Sequence, residues 1–154
     1  MERLTQILGT AVIGSLLSML SAAAAARAIG LAPVLRVALL SRNTLSVLAL
    51  ETSRLLGVEP ALGMLGAFIS GLLCVSLGKP LLARLGVRDP AIRGLALSGT
   101  GHGGALLAIS DEPEAFPFAA LMMSLGAACT VGLLSIKPVR GLLLAVALGP
   151  AGSV

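Results

Sequence analysis

The sequence is short of charge. Only 12% of its 154 residues are Asp, Glu, Lys or Arg, against about 25% in a soluble domain, which excludes an ordinary water-facing surface. Aromatic residues are nearly absent, with three Phe and no Trp or Tyr. The belt that marks many membrane interfaces is therefore missing. The net charge of +4 is spread between apolar segments without aromatic partners, so nucleic acid is excluded as a partner. One histidine and two separated cysteines make neither a zinc set nor a disulfide framework. With no nucleophile–base pair, neither an enzyme, a cofactor nor a metal is expected.

What remains is apolar: 56% hydrophobic residues and a mean hydropathy of +1.02. Residues 7–26 carry no charge, and about twenty such residues cross the hydrocarbon of a bilayer as a helix. Residues 61–78 and 115–136 have the same character. The lipid bilayer is the first partner. Glu2 and Arg3 leave the start nearly neutral, and the apolar run is too long for a typical signal peptide. It reads as a retained first span. Cys74 and Cys129 fall within spans and read as small packing residues.

Two further apolar segments are interrupted. In residues 37–50, Ser41, Arg42, Asn43, Thr44 and Ser46 crowd polar groups into mid-length. In residues 94–107, Ser98, Gly99, Thr100, Gly101, His102, Gly103 and Gly104 do the same. Glycine costs about 1 kcal/mol relative to alanine in a helix, so four of them predict unwinding. Non-helical backbone at membrane depth is tolerated only where protein buries it or water reaches it, and paired broken helices point to a transporter's binding site.

The charges suggest a layout. Segments 27–36, 79–93 and 137–140 are basic, whereas Glu59, Asp111, Glu112 and Glu114 lie between other spans. The positive-inside rule predicts an all-α polytopic bundle of about five crossings, at 7–26, 37–56, 60–78, 91–110 and 115–136. The N-terminus is then outside and the C-terminus inside. The run 141–149 is too short to cross. It extends the fifth helix past Pro138 or lies at the interface.

An internal repeat appears at an offset of 57. Pro33 matches Pro90, Arg36 matches Arg93, Ala26-Arg27 matches Ala83-Arg84, and Leu40-Ser41 matches Leu97-Ser98. The units run over about 7–56 and 60–110, followed by a final helix at 115–136. Two crossings per unit predict a parallel repeat. Small residues every fourth position, at Gly14-Ser18-Ala22, Gly63-Ala67-Gly71 and Ser124-Ala128-Gly132, predict close helix packing.

Arg42 has a guanidinium fork that suits a carboxylate, with Asn43, Thr44 and Ser46 alongside. Its alternative is a pair with Glu51, or snorkelling. In the second break, Ser98, Thr100, Gly101, His102 and Gly103 offer free backbone N–H groups and the one histidine.

Several stretches resemble the LrgB/CidB family. They are Leu85-Gly-Val-Arg-Asp-Pro90, Arg93-Gly-Leu-Ala-Leu with the glycine turn ending at His102, and Glu114-Ala-Phe-Pro-Phe-Ala-Ala-Leu-Met122. Residues 41–49 fall on the family's other signature, with Ser41 and Val47 in place of its prolines. The resemblance covers about residues 7–140 and implies one LrgB-like transmembrane domain, 1–154, shortened at its N-terminal side. It implies a small-carboxylate transporter of the glycolate, glycerate or pyruvate type, or a carrier remnant. The alternative is a non-transporting holin-like modulator of murein hydrolase activity and autolysis, acting through an LrgA-like partner. A homo-oligomer is the other implied assembly, and the expected location is a cell inner membrane or an organelle inner membrane. In this resemblance Arg42 takes the place of a family lysine and His102 that of the family histidine.

Overall fold

The computed structural model describes residues 2–149, and the predicted domain end at 154 lies outside them. The described residues form nine α-helices joined by turns, with one 3-10 and one π segment and no strand. Proline sits in the first turn of α2 (Pro33–Ala38), α4 (Pro60–Leu73), α6 (Pro90–Gly101), α8 (Phe116–Ser135) and α9 (Lys137–Leu148). There its missing N–H costs nothing and its fixed φ favours the helix.

Among the described residues, three helices are long and apolar enough to cross a membrane, over Thr5–Ala28, Pro60–Arg84 and Phe116–Ser135. The first belongs to α1 (Glu2–Ala28). The second is α4 continued through a π segment, Cys74–Gly78, into α5 (Lys79–Arg84). Pro80 explains that segment, because its ring displaces the preceding carbonyl and removes a hydrogen bond.

The two interrupted segments do not run from end to end. In the second, α6 climbs to His102 and α7 (Gly103–Ala108) returns beside it. Arg93, near the start of α6, then meets Glu112, just beyond α7, at 2.6 and 2.8 Å. In the first, α2 leads into the 3-10 turn Leu39–Asn43, and α3 (Ser46–Leu55) returns. Val37 and Leu56, from its two ends, share one buried cluster with Leu143 and Ala147 of α9. The Ser41 hydroxyl meets that of Ser53 at 3.1 Å across the fold, and both pack against Gly63 of α4, where a β-carbon would overlap them. The five-crossing expectation counted each interrupted segment as a crossing. Both are hairpins instead, because polar groups on their two arms pair with each other and with their neighbours.

Hairpins that return reverse the helix that follows. In α1 and α8, Gly14 lies near Met122, Ser15 bonds to Gly126, and Met19 and Ala23 share a cluster with Leu134. These two helices are therefore parallel. The far end of α4–α5 instead reaches the start of α8, through Lys79 and Asp111, so it runs antiparallel to both. The repeat units are inverted, and the parallel arrangement is corrected.

Matching positions of the two expected units nonetheless make matching contacts. Arg36 donates to Leu31 O at 2.6 Å and Arg93 donates to Val87 O at 3.0 Å. Gly30 and Gly86, both at positive φ, end the preceding helices with the same pair of backbone bonds. Helix ends therefore register at an offset of 56, and Pro90 and Arg93 at 57, because the second loop holds one extra residue.

The chain bends sharply after α8. Ile136 is extended, and α9 starts a separate helix that packs on α1 and α2. The predicted stripe Ser124-Ala128-Gly132 faces outward, while Ala119, Met122, Gly126 and Thr130 are buried.

Candidate functional site

The hairpins approach α4 from opposite ends and their tips meet near its Gly71. Thr44 and Leu45 break the first hairpin with extended backbone. His102 breaks the second with φ of 43°, the one positive φ outside glycine among the described residues. A left-handed residue with a side chain costs about 1–3 kcal/mol and persists only where its surroundings impose it. Here packing imposes it. A β-carbon on Gly104 would overlap the Gly71 backbone, and one on Gly101 would overlap Cys74.

Between the tips lies a pocket of about 220 Å³, lined by Thr44, Ser46, Gly71, Gly101, His102 and Gly103 among others. The first residues of α3 and α7 both border it. First-turn N–H groups have no partner within their own helix, so the start of α3, a helix of 10 residues, offers donors on this side of the cavity. Thr44 donates back to Ser41 O at 2.7 Å, whereas Ser46 is exposed toward the pocket. The walls are otherwise apolar, with Phe68, Leu72, Val75 and Leu107.

His102 is 3% exposed, and neither ring nitrogen has a hydrogen-bond partner. The hydroxyl of Ser98, one turn earlier, is fully buried and equally without a partner. Buried polar atoms are ordinarily satisfied, and within the described residues these three are not. The ring stands beside Gly126 of α8, whose β-carbon would lie 3.7 Å from Nε2 and whose carbonyl oxygen accepts from Ser15 of α1.

The remaining expected residues are placed otherwise. Asn43 is fully engaged: its carbonyl oxygen accepts from Ser18 at 3.3 Å, its amide donates to Thr130, and its backbone oxygen accepts from Thr130 at 3.2 Å. It ties the first hairpin to α1 and α8. Thr100 bonds back to Ala96 and Leu97 and faces a different cavity.

Arg42 also lies outside the tip pocket. It points toward α1, donating to Ser70 Oγ at 2.9 Å and to Ser18 at 3.4–3.5 Å. Glu51, its alternative partner, pairs with Arg54 at 2.7 Å. Sequence reasoning missed Gly71, on which the second tip rests. The Gly63-Ala67-Gly71 stripe was its only signal, and that stripe reads as ordinary packing.

A scan against family models adds the family to this geometry. The model for the LrgB-like family matches residues 1–138. The chain belongs to that family. It is 34% identical over 143 residues to the Arabidopsis thaliana protein named plastidal glycolate/glycerate translocator 1, covering 92% of this chain and 28% of that protein. It is 31% identical over 120 residues to an uncharacterized Haemophilus influenzae protein, covering 77% and 52%. A Bacillus cereus antiholin-like protein LrgB is 31% identical over 97 residues, covering 63% and 42%. The chain thus spans from about a quarter to about half the length of these relatives. No solved structure matches it.

Proposed function

We propose that this membrane protein carries a small carboxylate through the pocket between its hairpin tips. One observation carries the reading: the tips of two hairpins entering at opposite ends of the bundle, at Thr44–Ser46 and Gly101–Gly104, border the same pocket beside the buried His102. A carboxylate presents two acceptor oxygens, which suit N–H groups at a helix start and the Ser46 hydroxyl. Ser98, Gly101 and Gly103 complete the polar side. Glycolate, glycerate and pyruvate are compact enough for this volume, and the name of the Arabidopsis relative supports the first two. No named relative is described as an enzyme, and we read this chain as non-enzymatic.

In this reading α1, α4–α5 and α8 cross, and the hairpins enter from opposite membrane faces. Lys and Arg divide evenly: Arg3, Lys79, Arg84, Arg88 and Arg93 at one face, Arg27, Arg36, Arg54, Lys137 and Arg140 at the other. Acids oppose them unequally, with Glu2, Asp89, Asp111, Glu112 and Glu114 at the first face and Glu51 and Glu59 at the second. The second face keeps the excess cation and suits the anionic cytoplasmic leaflet. In this reading the start of α1 lies outside and α9 inside.

The test is uptake of labelled glycolate, glycerate and pyruvate by reconstituted vesicles. Uptake above that of empty vesicles, lost in His102→Ala, is expected. Permeability equal to that of empty vesicles contradicts the proposal. Similarity to antiholin-like LrgB supports a second reading, modulation of a holin-like membrane partner without transport, which predicts co-purification with an LrgA-like protein and no uptake.

A further inference from the structure

Arg42 is a cation near mid-depth with no counter-charge. Among the described residues, no carboxylate lies within ion-pair distance of it, and its bonds go to hydroxyl and carbonyl oxygens of Ser18 and Ser70. An unpaired guanidinium is costly within hydrocarbon, so such residues face a partner or water.

What Arg42 faces is a long apolar groove. One cavity, of about 650 Å³, runs from Thr10 of α1 and Ile92 of α6 down to Ser21 and Arg42. A second, of about 350 Å³, continues from Ser21 and Arg42 to Ile29 and Leu31. The two share those residues and together follow one face of α1 from Thr10 to Ile29. At 1.5 Å per residue that is about 28 Å, close to the thickness of the hydrocarbon layer. Gly14 and Gly99 contribute to the lining without side chains, and Leu17 and Leu95 are apolar.

We infer that this groove seats a transmembrane helix of a partner protein carrying one Asp or Glu at mid-span, paired with Arg42. The length fits a crossing helix, and the lining suits its apolar flanks. The lone cation at the shared point of the two cavities asks for a lone anion at the same depth. A phospholipid keeps its charge at the membrane surface and does not meet that need. Nor does a second copy of this sequence, because Thr5–Ala28, Pro60–Arg84 and Phe116–Ser135 contain no acidic residue. The inference is independent of carboxylate transport, since Arg42 lies outside the tip pocket.

The experiment uses the full chain in vesicles at neutral pH with two synthetic Leu/Ala transmembrane helices, one bearing Glu at mid-span and one Gln. Energy transfer between labelled chain and labelled peptide reads binding. The Glu peptide binds about tenfold or more tightly than the Gln peptide. Arg42→Lys keeps that preference and Arg42→Gln abolishes it. Equal binding of the two peptides overturns the inference and leaves the groove to lipid. Preference surviving in Arg42→Gln also overturns it. Should Arg42→Gln fail to fold, Gly14→Leu supplies the test: it leaves Arg42 in place, adds bulk to the groove, and weakens Glu-peptide binding about tenfold. Unchanged binding in that variant overturns the inference.

Discussion

Arg93 and Glu112 are joined by two hydrogen bonds, of 2.6 and 2.8 Å, across 19 residues of sequence. Had the segment between them crossed a bilayer, the two would lie on opposite faces. The bond closes the base of the second hairpin. Lys79 of α5 adds a second closure by reaching Asp111 and Glu112.

This closure is sensitive to acid. The Lys79 ammonium donates to Asp111, and the Arg93 guanidinium donates to Glu112, so both carboxyls titrate below their ordinary values. Their pairing therefore stabilises the fold fully at pH above the ordinary carboxyl range of about 4. The contribution disappears as pH falls through the lower, folded values. Melting temperatures in detergent should decline below about pH 4, and the decline should be smaller in Asp111→Asn/Glu112→Gln.

Glu112→Gln alone should destabilise the protein by about 1 kcal/mol at neutral pH, as expected for a partly exposed ion pair. Denaturant melts of Glu112→Gln, Arg93→Gln and the double variant measure the coupling. A double variant no less stable than the worse single one is the expected result.

Neighbouring glycines should respond oppositely. Gly104→Ala drives a β-carbon into the Gly71 backbone and should cost about 2 kcal/mol or more, as overpacking does. Gly103→Ala meets open space and should melt within a degree or two of the parent. Thermal melts of the two variants, run together, check the contrast.

His102→Gly should separate stability from activity. Glycine adopts positive φ freely, which relieves strain of ~1 kcal/mol, while the variant removes the buried ring whose Nε2 stands beside Gly126 of α8. Lost carboxylate uptake in a variant that still melts cooperatively is expected, with the cavity left by the ring offset in part by the relieved strain.

Much of this was legible in the sequence. Low charge and long apolar runs fixed the all-helical membrane class, and the polar clusters at 41–46 and 98–104 located both breaks. The match of Arg36 and Arg93 found a repeat whose members make the same bond to the preceding loop. The direction of each broken segment was not legible, because about twenty apolar residues read alike whether they cross or return. Loop charge then misled, since the basic loop around Lys79 and Arg93 is neutralised by Asp111 and Glu112, which linear reading assigned to the opposite face. The direction of the Arg42 side chain was not legible for a related reason. Its position in the break was plain, but the side on which its guanidinium left the backbone depended on Ser18 and Ser70 of distant helices.

The central claim is that the hairpins enter from opposite faces and return. Single cysteines at Leu31, Val58, Leu85 and Pro113, in a chain with Cys74 and Cys129 replaced by Ala, test it with a membrane-impermeant thiol reagent. The account predicts that positions 31 and 58 react from one side and positions 85 and 113 from the other. Reaction of 31 and 85 from one side, with 58 and 113 from the other, would contradict it.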